Sequence, residues 1–176
     1  MQRLLFSLAI AGLLAVPSPG FAADAVVGSA LGYIGTPYRY AGNGTNGFDC
    51  AGFVRRAYAD AAGIELPRSS AAQYGMGRKI EPEDLTPGDL VFFRDTYKRG
   101  ISHVGIYVGD GVFVHAASSA RRVALDRLDH PYFSRRYAGA RRLIEEEPEE
   151  PEVCEDEATP AAEPAAPHRT AMTVLP

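Results

Sequence analysis

A tight turn in the second half of the chain does most to limit its fold. Gly109-Asp110-Gly111 separates two strand-like apolar runs, residues 103–108 and 112–116, so these runs pair as an antiparallel hairpin. A three-residue loop with Gly111 in the left-handed position sets Val108 opposite Val112 and Gly105 opposite His115. His103 then lies diagonal to His115 on the same sheet face, about 7–8 Å away at the backbone. A two-residue loop would send the two imidazoles to opposite faces. Val104, Ile106 and Val108 make the other face, which reads as core, and Gly105 leaves room beside His103.

Further strands are expected at 90–94, after the Pro87-Gly88-Asp89 turn, at 123–125 and at 138–144, with a turn or short helix over 131–137. Upstream the period changes. Val26, Val27, Ala30, Leu31 and Ile34 recur at helical spacing within 23–34, and Gly35-Thr36-Pro37 ends that helix. Residues 38–47 are rich in Gly and Asn and read as loop. Asp49 is a good N-cap for a helix opening at Cys50, with Phe53, Val54, Ala57, Tyr58 and Ala61 as its apolar stripe and Gly63 just past its end. Residues 64–76 read as irregular, with a short helix over 70–75. Helix first and antiparallel strands after gives the α+β class.

The ends differ from this centre. Arg3, an apolar run over 4–16 and the small-x-small triplet Gly20-Phe21-Ala22 read as a secretory leader. The run is too short to span a bilayer, which takes roughly 20 residues. Pro17, Ser18, Pro19 and Gly20 break it, and cleavage is expected between Ala22 and Ala23. From Glu145 to the end there are ten Asp and Glu, one Arg and six Pro, a composition that cannot bury enough surface to fold. The domains expected are therefore 1–22 leader, 23–144 folded core and 145–176 disordered acidic tail. The core carries sixteen Lys and Arg against twelve Asp and Glu. A mildly basic domain beside an acidic tail suits an anionic substrate outside the cell, and the tail is a candidate docking segment for an adaptor or regulator.

Two Cys cannot make a disulfide scaffold or a four-thiolate zinc site. Cys50 stands at a helix N-terminus, where the macrodipole and free backbone N–H groups favour a thiolate. A thiolate needs a base to act as nucleophile, and the core offers His103, His115 and His130. Cys50 with two same-face histidines points to nucleophilic catalysis, although a Cys/His/His zinc site would use the same residue types. Gly42-Asn43-Gly44-Thr45-Asn46-Gly47 satisfies a G-x-G-x-x-G pattern but follows no buried strand, so dinucleotide binding is set aside. Asn43-Gly44-Thr45 is a glycosylation sequon. His130 reads as a turn residue, His168 has no reading, and Cys154 is expected to be free or intermolecular.

Gly35-Thr36-Pro37-Tyr38-Arg39-Tyr40-Ala41-Gly42 followed by Phe48-Asp49-Cys50-Ala51-Gly52-Phe53-Val54 resembles the NlpC-type cysteine peptidases of bacterial cell walls. So do Leu66-Pro67-Arg68-Ser69, Pro87-Gly88-Asp89-Leu90-Val91-Phe92-Phe93, His103-Val104-Gly105-Ile106-Tyr107 and Phe113-Val114-His115-Ala116, in family order over nearly all of 28–144. Pro131-Tyr132-Phe133, Arg135-Arg136-Tyr137 and Ala140-Arg141-Arg142 look most like the Spr-type murein DD-endopeptidases.

The resemblance implies a papain-like fold and hydrolysis of peptidoglycan stem peptides without a cofactor or metal. By the same resemblance Cys50 is the nucleophile, His103 the base and His115 the residue that orients it. Tyr38 reaches in beside the nucleophile. Asp49, Ser69 and Arg68 match substrate-side positions, and Arg39 is a basic residue near the cleft. The preferred cut is the D-Ala–diaminopimelate cross-link, with γ-D-Glu–diaminopimelate as the alternative. A non-catalytic wall-binding module, or an amidase or acyltransferase on the same fold, are the rival readings. Two departures stand out: Ala51 replaces the usual serine after the nucleophile, and no lipidation Cys is found at the leader. A soluble, monomeric periplasmic form without nucleic-acid partner or membrane span is expected.

Overall fold

The computed structural model describes residues 19–44 and 46–145. The leader's apolar run, Thr45 of the sequon, and the tail from 146 onward with Cys154 and His168 lie outside the described residues.

Helix α1 (Pro19–Gly32) begins four residues earlier than expected. Pro19 and Gly20, expected as breakers, form its first turn, where Pro gives up no helical hydrogen bond. Ala23, Val26 and Ala30 are buried, while Leu31 and Ile34 are exposed, so its buried stripe is narrower than the sequence suggests. A small hairpin, β1 (Asn43–Gly44) with β2 (Gly47–Phe48), stands where only loop was expected. Helix α2 (Cys50–Ala62) has the expected bounds. Phe53, Val54, Ala57 and Tyr58 are its buried stripe, and Gly63 closes it in the left-handed conformation. Asp49 caps it, its carboxylate accepting the Gly52 N–H at 2.7 Å. Helix α3 (Ser70–Gln73) is one short turn, capped by Ser69.

The remainder is a six-stranded sheet with one more turn of helix. Its strands are β3 (Arg78–Ile80), β4 (Leu90–Arg94), β5 (Ile101–Gly109), β6 (Val112–Ala117), β7 (Arg122–Arg127) and β8 (Tyr137–Arg142), with α4 (Pro131–Ser134) between the last two. Their spatial order is β3-β8-β4-β5-β6-β7, antiparallel throughout. Strand β3 was not anticipated, because its Arg78-Lys79-Ile80 carries one apolar residue and no visible alternation.

The β5–β6 turn corrects the expected loop and keeps the expected register. Asp110 and Gly111 have φ of 51° and 73°, a two-residue turn with both central residues left-handed. Gly109 pairs with Val112, and a register shift between Tyr107 and Gly109 leaves Val108 over as the extra residue of a bulge. Tyr107 then faces Phe113 and Ile106 faces Val114, so His103 and His115 share a face.

Apolar residues cover both faces of the sheet. Toward the helices, Leu90, Phe92, Val104, Ile106, Val114, Ala116 and Val123 pack with the stripes of α1 and α2. On the opposite face Val91, Phe93, Phe113 and Ala140 pack beneath Phe133 of α4. The edge of β7 is not left bare. Gly35 and Tyr38 donate backbone N–H groups to the carbonyls of Val123 and Arg121, and Val123 donates to Thr36. Among the described residues no helix is long and apolar enough to cross a membrane.

Asp89, at the entry to β4, is buried, and Arg142 of β8 grips both its oxygens at 2.8 Å. Removing one partner of such a pair strands the other charge in a poor solvent. Arg142→Met is expected to lower stability by about 3–5 kcal/mol, read as a fall in the urea midpoint at unchanged m-value.

Candidate active site

The site forms where the first turn of α2 meets the sheet. Gly52 lets the preceding loop lie against that turn, since a Cβ there would sit 2.1 Å from the Gly42 carbonyl oxygen. The loop 35–48 is pinned between β7 and α2 by Tyr38 N–H to Arg121, Phe48 N–H to Pro37 and Asp49 N–H to Gly42. These bonds bring Tyr38 beside Cys50. Behind them, fully buried Gln73 donates from Nε2 to the carbonyls of Ala51 (3.1 Å) and Pro67 (2.9 Å), tying α2 to the Arg68–Ser69 loop.

Cys50 is 5% exposed. Its Sγ donates to the Ser102 carbonyl at 3.9 Å, at the start of β5. Cys50, His103 and His115 line one cavity of about 450 Å³. The two histidines touch, His103 Nε2 to His115 Nδ1 at 2.6 Å. His115 is 2% exposed, and its Nε2 lies 2.9 Å from Asp126 Oδ2 on β7. Phe133 roofs the pair, its ring centroid 6.5 Å from His103 and 5.4 Å from His115. The space expected beside Gly105 is already filled, because a Cβ there would lie 2.6 Å from the Phe113 ring and 3.2 Å from His115 Cβ.

A second cavity, about 240 Å³, opens on the other side of Cys50, with Tyr38, Cys50 and Tyr97 lining both. It holds Asp49, Arg68, Ser69 and Lys98. Arg68 forks onto Asp49 at 3.0 and 3.1 Å, so the carboxylate it grips is the protein's own. Ser69 caps α3 by accepting the Ala72 N–H at 3.3 Å while facing this cavity. Arg39 lines neither cavity and donates from Nε to the Asn46 carbonyl. His130, read as a turn residue, caps α4 through Nδ1 and also lines the larger cavity.

The electrostatics revise one expectation. Backbone N–H groups of Val104, Ala51 and Cys50 do favour a thiolate, but burial and then the Asp49 charge outweigh them and push the Cys50 thiol up to about 11. Burial, then the neighbouring His115, hold the His103 imidazole well below its usual 6.5. Burial, followed by Cys50 and Asp49, raises Tyr38, which keeps its phenol a donor. The resting pair is thus neutral thiol and neutral imidazole. Among the described residues no group of three or more His, Cys, Asp and Glu is arranged to hold a metal ion.

Sequence reasoning missed Asp126, Phe133, Gln73 and the Thr96–Tyr97 loop. Asp126 had a usable signal: one more residue on the strand expected at 123–125 would set it diagonal to His115. Gln73 had none, since its partners are backbone carbonyls brought near only by the fold.

Comparison with known proteins yields concordant matches. A profile described as the NlpC/P60 family matches residues 35–142. The chain is 43% identical over 126 residues to the gamma-DL-glutamyl hydrolase of Bacillus subtilis, covering 71% of this chain and 30% of that protein. It is also 43% identical over 110 residues to the murein DD-endopeptidase MepS/murein LD-carboxypeptidase of Escherichia coli K12, covering 62% of this chain and 57% of that one. The chain thus spans less than two thirds of either relative. A crystal structure of an NlpC/P60 family protein from Bacillus cereus superposes with a TM-score of 0.66 at 38% identity, over 73% of this chain and 42% of that one.

The neutral pair has measurable consequences. In the free protein, the rate of Cys50 alkylation by iodoacetamide should climb with pH toward a midpoint about 11; a plateau already reached at pH 7 would refute the neutral thiol. Stability should also be highest between pH 6.5 and 9.0. Below 6.5 the unfolded chain takes up a proton that folded His103 refuses, so stability falls as pH drops. Above 9.0 the unfolded thiol ionises while the folded one stays protonated, so stability falls as pH rises toward about 11. Thermal midpoints measured below 6.5, across the plateau and above 9.0 test both limbs.

Proposed function

Because the chain belongs to the NlpC/P60 family, we propose that it is a cysteine endopeptidase of peptidoglycan, with Cys50 as nucleophile, His103 as base and His115 as the residue that orients it. The observation that carries this reading is the convergence of Cys50 and the hydrogen-bonded His103–His115 pair on one cavity. A wall-binding module has no use for a buried thiol beside two linked imidazoles.

Substrate binding brings a stem-peptide carbonyl over Cys50. His103 takes the thiol proton as sulfur attacks, which removes the cost of forming a free buried thiolate. Backbone N–H groups at the start of α2 and the Tyr38 phenol stabilise the oxyanion. His103 then gives its proton to the leaving amine, and water resolves the thioester. The larger cavity lies on the imidazole side and receives the leaving amine. The smaller one receives the acyl side.

The lining of the acyl side supports the D-Ala–diaminopimelate cross-link over removal of an N-terminal dipeptide. A free N-terminal ammonium needs an unpaired carboxylate. Asp49, the one carboxylate lining that cavity among the described residues, is held by Arg68. Lys98 on the same wall suits a substrate carboxylate instead. The relatives named above include enzymes of both glutamyl and DD bonds at equal identity, so γ-D-Glu–diaminopimelate remains the second reading.

The chain is placed outside the cytoplasm by the proposed leader, cut after Ala22. That cut keeps the buried residues Ala23, Val26 and Ala30 of α1 in the mature protein. The acidic segment 145–176 is proposed as a tail that leaves the catalytic fold at Glu145, which Arg78 of β3 holds at 3.1 Å, and the catalytic unit as a monomer.

The deciding experiment is mass analysis of purified peptidoglycan after digestion, with Cys50→Ala as control. Loss of cross-linked dimers and appearance of intact monomers is expected, with Cys50→Ala folded and inactive. Monomers shortened at γ-D-Glu would move the cut to the second reading, and full activity of Cys50→Ala would end the mechanism.

A further inference from the structure

We infer that Asp126 is a positioning residue that sets the tautomers of both histidines and so aims the basic lone pair of His103 at Cys50. The inference rests on the Cys50–His103 chemistry proposed above and adds a fourth member to it.

An ionised carboxylate only accepts hydrogen bonds. Asp126 Oδ2 lies 2.9 Å from His115 Nε2, so that nitrogen carries the proton. In a neutral imidazole the other nitrogen is then bare. His115 Nδ1 therefore accepts, and its partner at 2.6 Å, His103 Nε2, donates. With Nε2 protonated, neutral His103 keeps its lone pair on Nδ1, the nitrogen left over for the thiol. Each assignment follows from the one before, and the chain begins at Asp126.

The fold holds this arrangement from several sides. Asp126 faces Phe113 across the β6–β7 ladder, while His115 faces Ala124, which makes Asp126 the diagonal same-face neighbour of His115. Phe113 and Phe133 pack against the His115 ring. Asp126 itself is 38% exposed and lines the larger cavity, so its charge stays hydrated while one oxygen is committed to His115.

The reaction step balances without moving a proton to Asp126. The Sγ–H bond breaks, the proton goes to His103 Nδ1, and sulfur bonds to the substrate carbonyl carbon as the carbonyl π pair moves onto oxygen. His103 becomes imidazolium, and its Nε2–H still donates to His115. The fixed carboxylate two links away stabilises that charge.

The test uses the full chain and compares wild type with Asp126→Asn and Asp126→Glu. A carboxamide can turn its NH2 toward His115 Nε2, which reverses every assignment and puts a proton on His103 Nδ1. Three readings are taken: the protonation of the ring nitrogens by 15N NMR, the iodoacetamide rate at Cys50, and turnover on peptidoglycan. In wild type, protons are expected on His115 Nε2 and His103 Nε2. Asp126→Asn should shift protonation toward the Nδ1 positions and slow alkylation. It should lower kcat by about 10- to 100-fold, the scale seen when the hydrogen-bonded outer partner of a metal-ligating histidine is removed, with KM little changed. Asp126→Glu should restore the wild-type ring-nitrogen pattern. Unchanged nitrogens and alkylation in Asp126→Asn would overturn the inference, and so would a kcat loss without them, since Asp126 would then act on the substrate. If the wild type cleaves no peptidoglycan, the functional reading fails alone, because the first two readings need no substrate.

Discussion

Asp49 is the joint on which the site hangs. One carboxylate oxygen accepts the Gly52 N–H and one arm of Arg68, and the other accepts the second arm. Its backbone N–H reaches Gly42, and its carbonyl takes the Phe53 N–H that opens α2. Three segments far apart in sequence are thereby fixed around the residue next to Cys50. The approach works because Gly42 and Gly52 bring backbone to backbone, with no side chain between loop and helix. A cap usually contributes about 1 kcal/mol. Here it also decides where the sulfur sits relative to the sheet.

The site shows two opposing influences on one thiol. A helix N-terminus offers aligned N–H groups to a negative sulfur, and the sequence at Asp49-Cys50 advertises that arrangement. Burial acts the other way, and a neighbouring carboxylate adds to it. Burial wins because Cys50 belongs to the core cluster that joins α2 to the sheet. What sequence could not supply was the degree of desolvation, which depends on what packs over the first turn.

The legible parts of this chain were those with a strong local period or punctuation. Helix α2 was readable to the residue from its cap, stripe and terminal glycine. The shared face of His103 and His115 was readable too, although by a compensation: the turn is one residue shorter than expected, and the Val108 bulge restores the register. Strand β3 and the β1–β2 hairpin were not legible, since they are two or three residues long and exist through their pairing partners. Asp126 was overlooked because Asp is depleted in strands and the run 123–125 stopped just before it. Roles that depend on contacts distant in sequence, such as Gln73 bracing α2 and Phe133 roofing the histidines, had no local mark.

The burial that keeps Cys50 protonated has a chemical corollary. Oxidation of cysteine proceeds through the thiolate and needs access to it. A thiol 5% exposed, with its ionisation pushed up to about 11, presents oxidants with little of either. In the compartment outside the cytoplasm proposed for this chain, where free thiols are readily lost, the proposed nucleophile would be held in a form that endures. In the proposed mechanism the sulfur is activated near neutral pH when substrate fills the cavity and His103 takes its proton.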